Sequence, residues 1–346
     1  MNSVRRIALL MSHDAGFHRE VLLGVRSYGL HHKNWLFHNA PAELDVVRPL
    51  REWNPHGIIA YLIEPKLAKA LIQLGKPMVD TGFAIPSLGV PVVDVDHAAV
   101  GRMAAQYFLG RGYQNFGFFG NGSSHYARIR EDNYCAILAK AGYTASICHI
   151  DYLPSQPTRT SWKRLSHQVR QWLKQLPKPV AILTTNDSPA HDLADACQQL
   201  GFHVPDQVAL LGVDNDELEC QLAFPPLSSI AVPAQQIGYE AAKLLDALMA
   251  GKAGPKQPTL LPPIRVVTRN STSTFAIDDT MVAAAVRYIR NHVTKPLSVR
   301  TLVRELVVHR RDLERKFRAV LGRSVLQEIH LARVDAAKEL LLTTEL

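Results

Sequence analysis

Val180-Ala181-Ile182-Leu183-Thr184-Thr185-Asn186-Asp187 is the stretch on which the reading of this chain turns. Its short aliphatic run shows no alternation with polar residues, the mark of a strand buried on both faces, and such strands belong to parallel sheets covered by helices. It stops in Asn186 and Asp187, residues of turns and helix caps. The same order recurs along the chain. Ile7 to Met11 runs into Ser12 and His13, Val79 into Asp80, Val93 and Val95 into Asp94 and Asp96, Phe119-Gly120 into Asn121, and Val213 into Asp214. Further strands are expected at Gly57 to Leu62, Ala145 to Ile150 and Ser228 to Val232, with helices at Arg19 to Leu30, Ala98 to Arg111 and Gln235 to Ala250. The Gly- and Pro-rich stretch 251–263 reads as a break, and Arg265 to Thr274 as a last strand leading into a Ser/Thr linker.

Polar groups at the carboxyl ends of many strands matter because ligands of open α/β sheets bind there, where loops and helix N-termini converge. The set is chemically uniform. It holds carboxylates, amides, the neighbouring arginines Arg128 and Arg130, and the aromatics Phe17, Tyr126 and Trp162. Carboxylates and guanidinium groups over apolar ring faces suit a hydroxyl-rich ligand such as a sugar. A phosphate cradle is not written in the sequence: G-x-x-x-x-G-K-[ST] is absent, and Gly117, Gly120 and Gly122 do not form G-x-G-x-x-G.

Composition sets the frame. At 346 residues, 47% hydrophobic and 20% charged, the chain is globular and large enough for two or three domains. Its longest apolar runs fall short of a membrane span, and Arg5-Arg6 before a five-residue apolar stretch reads as strand rather than signal peptide. Four scattered cysteines without a C-x-x-C pair suit a reducing compartment, so a cytoplasmic protein is expected. The net charge of +8 is concentrated: twelve Lys or Arg face four acids between Val286 and Val334, which accounts for the whole surplus. A neutral body with a basic C-terminal module is the layout of a nucleic-acid-binding protein.

That module, 276–346, reads as four helices. Asp278, Asp279 and Thr280 supply cap chemistry for a first helix with Val282, Val286, Ile289 and Val293 on one face, and Lys295-Pro296 stops it. Ser298 caps a second with Leu302 and Leu306 inward. A third carries Leu313, Phe317 and Leu321 inward and Arg310, Arg311, Arg315 and Arg318 outward, Gly322 ends it, and Val325, Ile329, Ala332, Ala336 and Leu340 define a fourth. Two short helices with a tight link, the second presenting arginines, is helix-turn-helix geometry, with double-stranded DNA as the partner.

Asp96-His97-Ala98-Ala99-Val100-Gly101, the stretch from Gly110 to Gly120, Arg130 to Tyr134, Ala181 to Asp187, Leu211 to Asn215 and Pro226 to Ile230 occur in an order that resembles LacI-type repressors and periplasmic sugar-binding proteins over about residues 5 to 272. The resemblance implies a two-lobed sensor over 1–275, with parallel sheets, helices on both faces, and crossovers near 97, 233 and 264. It implies ligand contacts from Arg130, Asp187 and Asp214, with Asn186 close by, and from Ser12, Phe17, Asp94 and Asp96 in the amino-terminal lobe. Those repressors begin with a helix-turn-helix, whereas this sequence begins at the first strand. Leu297 to Leu306, Arg311 to Phe317, Leu321-Gly322 and the final helix resemble the first half of an AraC-type DNA-binding domain. The sequence departs from that pattern at Val303, where Ala is usual, at Val307, where the turn usually has Gly, and at His309, where Ser usually caps. A second helix-turn-helix would follow Leu346, so the tail reads as a partial, truncated domain.

A sugar-sensing body joined to an AraC-type tail resembles bacterial activators of pentose-use genes. This implies a monosaccharide effector, D-xylose favoured, that moves DNA-binding modules in a homodimer, with no cofactor, metal, membrane or catalytic role. Two alternatives remain open from the residues. One is a binding protein for another monosaccharide with no DNA role. The other is a metal-dependent sugar enzyme, for which Asp187, His191 and Asp195 have helical i, i+4, i+8 spacing, although a capped, solvated helix explains them as well.

Overall fold

The computed structural model describes residues 4–32, 34–85, 88–150, 159–273 and 279–343. The chain opens with β1 (Arg5–Leu10), α1 (Gly16–His32), β2 (Trp35–Ala40), α2 (Val47–Trp53), β3 (Gly57–Ala60), α3 (Pro65–Ile72), β4 (Met78–Asp80) and β5 (Val93–Val95). The next stretch comprises α4 (His97–Leu109), β6 (Asn115–Gly120), α5 (His125–Lys140), β7 (Ala145–His149), α6 (Arg159–Gln175), β8 (Val180–Thr184), α7 (Asp187–Leu200), β9 (Val208–Asp214), α8 (Glu217–Leu222) and β10 (Ser228–Ala231). The body closes with α9 (Ala234–Met249), β11 (Thr259–Leu261) and β12 (Arg265–Val267). The tail holds α10 (Thr280–Asn291), α11 (Val299–Glu305), α12 (Arg310–Leu321) and α13 (Val325–Thr343).

The strands form two main sheets, ordered β2-β1-β3-β4 and β12-β10-β9-β8-β6-β7, with β5 and β11 as a parallel pair that a bridge from Asp80 to Val92 joins to the first sheet. β1, β3, β6, β8 and β9 sit inside their sheets, and the residues of β3 and β8 are buried throughout, as a strand covered on both faces must be. The chain leaves the first lobe between β5 and α4, returns between β10 and α9, and crosses again between β11 and β12. α9 packs on α1 so closely that a Cβ at Gly24 would meet the Gln235 carbonyl and one at Gly238 the Val21 carbonyl. Three chain crossings join the two sheets, and ligands of open α/β sheets bind at the carboxyl ends of such parallel strands.

Several elements differ from the sequence expectation. Trp35–Ala40 forms an edge strand whose residues alternate between half-buried and exposed, so it lacks the continuous apolar run by which the other strands declare themselves. Thr259–Leu261 lies inside the Pro-rich break and is strand only because β5 offers it an edge. The last strand is shorter than Arg265 to Thr274, pairs antiparallel with β10, and gives way to a turn in which the Ser271 hydroxyl donates to the Leu210 carbonyl.

In the tail, Val282, Val286, Ile289, Leu302, Leu313, Phe317, Val325, Ile329 and Ala332 form one core. Ser298 caps α11 by accepting from the Thr301 amide, and Asp279 caps α10 by accepting from Met281 and Val282. Asp278 and the side chain of Leu340 lie outside the described residues, as does the side chain of Trp162. Among the described residues no helix is long and apolar enough to cross a membrane.

Candidate functional site: an interlobe cleft and a basic helix

The strands β5, β8 and β9 and the helices α4 and α5 deliver the polar groups of the cleft. Arg130 comes from α5, whose backbone is pressed against α4: a Cβ at Gly101 would collide with the Arg130 carbonyl, so only glycine lets the helices approach this far. The guanidinium is 3% exposed and fully engaged on one side. Its Nη1 donates to the Thr185 carbonyl, its Nε to His97 Nδ1 at 3.3 Å, and its Nη2 lies 3.7 Å from Asp214 Oδ1. Asn186 donates to the other Asp214 oxygen and accepts from the Tyr126 hydroxyl at 3.1 Å. The guanidinium stands 5.1 Å from the centre of the Tyr126 ring.

From the first lobe, Asp94 in the middle of the short strand β5 accepts from the Val95 amide and contacts His97 Nε2 at 3.0 Å. Phe17 and His18 at the start of α1 stand against Tyr61, with ring centres 6.3 and 4.4 Å away. Burial pushes the Tyr61 and Tyr126 hydroxyls above the usual phenol range, and drives His18 down to about 4, against the bond it makes to the Ser12 carbonyl. Burial also raises the Asp214 carboxyl, a rise that the Arg130 guanidinium opposes. The arrangement joins a charged fork, two carboxylates, an amide and three aromatic rings, which is the equipment for hydrogen-bonding adjacent hydroxyls over an apolar ring.

The expected residues divide. Asn186, Asp214 and Arg130 form one run of contacts, His97 links Arg130 on to Asp94, and Phe17 lies with the aromatic group. Asp187 is buried and spent internally, its oxygens accepting from the Ser229 hydroxyl and the Asp216 amide; burial holds its carboxyl well above the usual range. Asp96 caps α4 by accepting from the Ala99 amide, and Ser12 bonds Asp14 in an exposed loop. Arg128 is exposed on α5, away from the buried face that carries Arg130.

Other groups were not singled out from sequence. His97 and Tyr61 each follow a strand, and the strand-end pattern that drew attention to Asp94 and Asp214 also reaches them. Asp80 was visible at the end of β4. One of its oxygens accepts from the Leu62 and Gly82 amides, while buried Oδ2 has no hydrogen-bond partner among the described residues. Burial raises its carboxyl to about 7. The lobes also touch at the rim, where Asp216 accepts from the Gly16 amide at 2.7 Å and pairs with Arg19 at 3.3 Å.

Burial raises all four thiols, Cys148 to about 11 and Cys197 to about 12. Among the described residues there is no group of three or more His, Cys, Asp or Glu suited to a metal ion. His191 Nδ1 lies 2.9 Å from Glu219 Oε2.

In the tail the basic residues separate by use. Arg323 donates to buried Glu328 at 2.6 Å, with Arg290 on the same carboxylate at 3.6 Å. Lys316 pairs with the Asp279 cap at 2.6 Å, and Arg333 reaches the Leu297 carbonyl. These cations hold the bundle together. Arg310, Arg311, Arg315 and Arg318 are all exposed on α12, and of the four Arg315 pairs with Asp312 at 3.4 Å in solvent. The positions at which the sequence departs from the AraC-type pattern it resembles have structural consequences. Val307 adopts φ 53°, the conformation for which glycine is usual, and His309 makes no side-chain cap bond.

The periplasmic binding protein-like domain family matches residues 105–272. The xylose operon regulatory protein of Escherichia coli K12 is 28% identical over 352 aligned residues, covering 99% of this chain and 88% of that protein. The xylose operon regulatory protein of Haemophilus influenzae is also 28% identical, covering 99% and 89%. Among solved structures, the xylose-binding transcription activator XylR superposes with a TM-score of 0.71 at 28% identity, over 98% of this chain and 88% of that one. Likeness of this extent spans both lobes and the helical tail, so the chain is a homologue of the bacterial xylose operon regulatory proteins, with a periplasmic binding protein-like domain in its body.

Proposed function

We propose that this chain is a sugar-responsive transcription regulator whose effector is D-xylose, and that it acts as a cytoplasmic homodimer without catalytic activity. The reading divides the chain into a two-lobed sensor, 1–275, and an AraC-type DNA-binding module, 276–346. The observation that carries it is the Arg130–Asp214 pair, buried at the strand ends between two lobes, in a chain similar over nearly its whole length to xylose operon regulators. Arg130 and Asp214, with Asn186 and Asp94, bind the sugar hydroxyls, and Phe17, Tyr61 and Tyr126 cover its ring. The sugar favours the closed lobes because only there do both sets of groups reach it. That difference in affinity is the whole driving force available to reposition the tail. The exposed arginines of α12 then meet double-stranded DNA, reaching base edges and phosphates of one major groove.

Calorimetry against a panel of pentoses and hexoses tests the effector. D-xylose is expected to bind more tightly than D-glucose, whose extra hydroxymethyl must displace packed rings. Equal or tighter glucose binding would move the protein to a different sugar. For the tail, Arg311→Ala or Arg318→Ala should weaken duplex binding and flatten its salt dependence by about one unit of slope per lost phosphate contact. Duplex affinity unchanged by both substitutions would remove α12 as the DNA-facing helix.

A further inference from the structure

His97 is a buried imidazole, 5% exposed, placed where the chain passes from β5 of one lobe into α4 of the other. Its two nitrogens face different partners: Nδ1 lies 3.3 Å from Arg130 Nε, and Nε2 lies 3.0 Å from Asp94 Oδ2. The direction of each bond follows from valence. A guanidinium N–H only donates, so Nδ1 is the acceptor, and the ring proton sits on Nε2, where Asp94 receives it. Asp94 is itself held, its other oxygen accepting from the Val95 amide at 2.7 Å. The bonds run one way, from Arg130 through His97 to Asp94.

This has a consequence for the guanidinium. Of its five N–H groups, Nε–H goes to His97, one on Nη1 goes to the Thr185 carbonyl, and Nη2 faces Asp214. A contact at Nη1 alone leaves the fork able to roll about its long axis. Adding a fixed acceptor at Nε sets the plane, and with it the direction in which the remaining terminal N–H groups point. Planar, paired donation to adjacent hydroxyls depends on that direction, and a fork that must be ordered on binding loses affinity.

We propose that His97 is a positioning residue for ligand binding: held by Asp94 as its Nε2–H tautomer, it locks the plane of Arg130 toward Asp214 and the sugar hydroxyls. The proposal rests on the sugar-sensor reading above and adds the residue that orients its main anchor.

The test uses the full chain. Long-range 1H–15N spectra of the ligand-free protein, with the His97 signal assigned by its loss in His97→Gln, should show a proton on Nε2 and a bare Nδ1. A proton on Nδ1 would overturn the proposal whatever the sugar does. Calorimetry with D-xylose follows. In His97→Gln the amide supplies one acceptor and one donor, and affinity should stay within about fivefold of wild type, whereas His97→Phe, which supplies neither, should lose about tenfold or more. Binding by His97→Phe within about threefold of wild type would also overturn the assignment. No D-xylose binding by the wild type, with the tautomer as described, would instead overturn the sugar reading, and the role of His97 in it.

Discussion

Asp214 and Asn215 at the cleft and Val307 in the tail all hold left-handed backbone, with φ of 104°, 55° and 53°. For residues with side chains this costs about 1–2 kcal/mol each. At the cleft the conformation is held from several sides. The Asn215 amide donates to the Ser229 hydroxyl, its side-chain oxygen accepts from Arg269, Asn186 holds the Asp214 carboxylate, and the next amide, of Asp216, donates to Asp187. In the tail Val307 is 89% exposed, and its amide reaches the Arg304 carbonyl at 3.3 Å. Strain at the cleft places a carboxylate and an amide that glycine would not carry. Strain in the turn between α11 and α12 places a side chain in solvent, where glycine would serve as well.

The largest effect should come from removing the cation that faces the strained turn. Arg130→Ala leaves Asp214 and His97 buried without their shared partner and should cost about 3 kcal/mol of stability in urea titration, together with most of the D-xylose affinity. A loss below about 1 kcal/mol would mean the cleft turn is held without the ion pair.

Asp80 tests whether the first lobe also stores energy at its strand end. Its carboxyl is raised by burial to about 7 from an ordinary 3.8, so between those values the folded protein binds a proton that the unfolded chain does not. The resulting stability is fully present below about pH 4 and is lost as pH rises through 7, about 2 kcal/mol of it between pH 5 and 7. Asp80→Asn keeps an oxygen for Leu62 and Gly82 and should flatten that decline. An unchanged pH profile of urea midpoints would place the proton elsewhere.

Glycine substitution should then act with opposite signs at the two turns. Asn215→Gly relieves the φ angle but removes the acceptor for Arg269, and a net loss of about 1 kcal/mol is expected. Val307→Gly removes only an exposed apolar side chain and should stabilise the tail by about 1 kcal/mol, read as slower hydrogen exchange in α11 and α12. Stabilisation by both would erase the distinction between them. The smallest effect should be His309→Ser, which supplies the absent cap of α12 and should add about 0.5–1 kcal/mol there.

Much of this molecule is local and was legible in the chain. Buried parallel strands declare themselves as unbroken aliphatic runs, and the tail helices as stripes of Val282, Val286 and Ile289 or Leu313 and Phe317, because burial on a regular element imposes its period on the residues. Charge is additive along the sequence, so the basic tail needed no coordinates. Edge and borrowed structure was not legible: Trp35–Ala40 is half exposed, and Thr259–Leu261 exists as a strand through its pairing with β5.

Within the cleft, Arg130, Asn186, Asp214 and Asp94 stand in or just after strands or on the helix beside them, a position the sequence reveals. Whether a polar residue there joins the other strand-end groups or is consumed beneath them is decided by partners distant in the chain. Asp187 goes to Ser229 and Asp216, whereas Asp214 meets Arg130. The same holds for the tail, where Arg323 is drawn to Glu328 and Arg318 stays in solvent. Residue type and spacing state what a side chain is able to bond. Only the folded chain, which sets the distances and removes the water, decides which bond it makes.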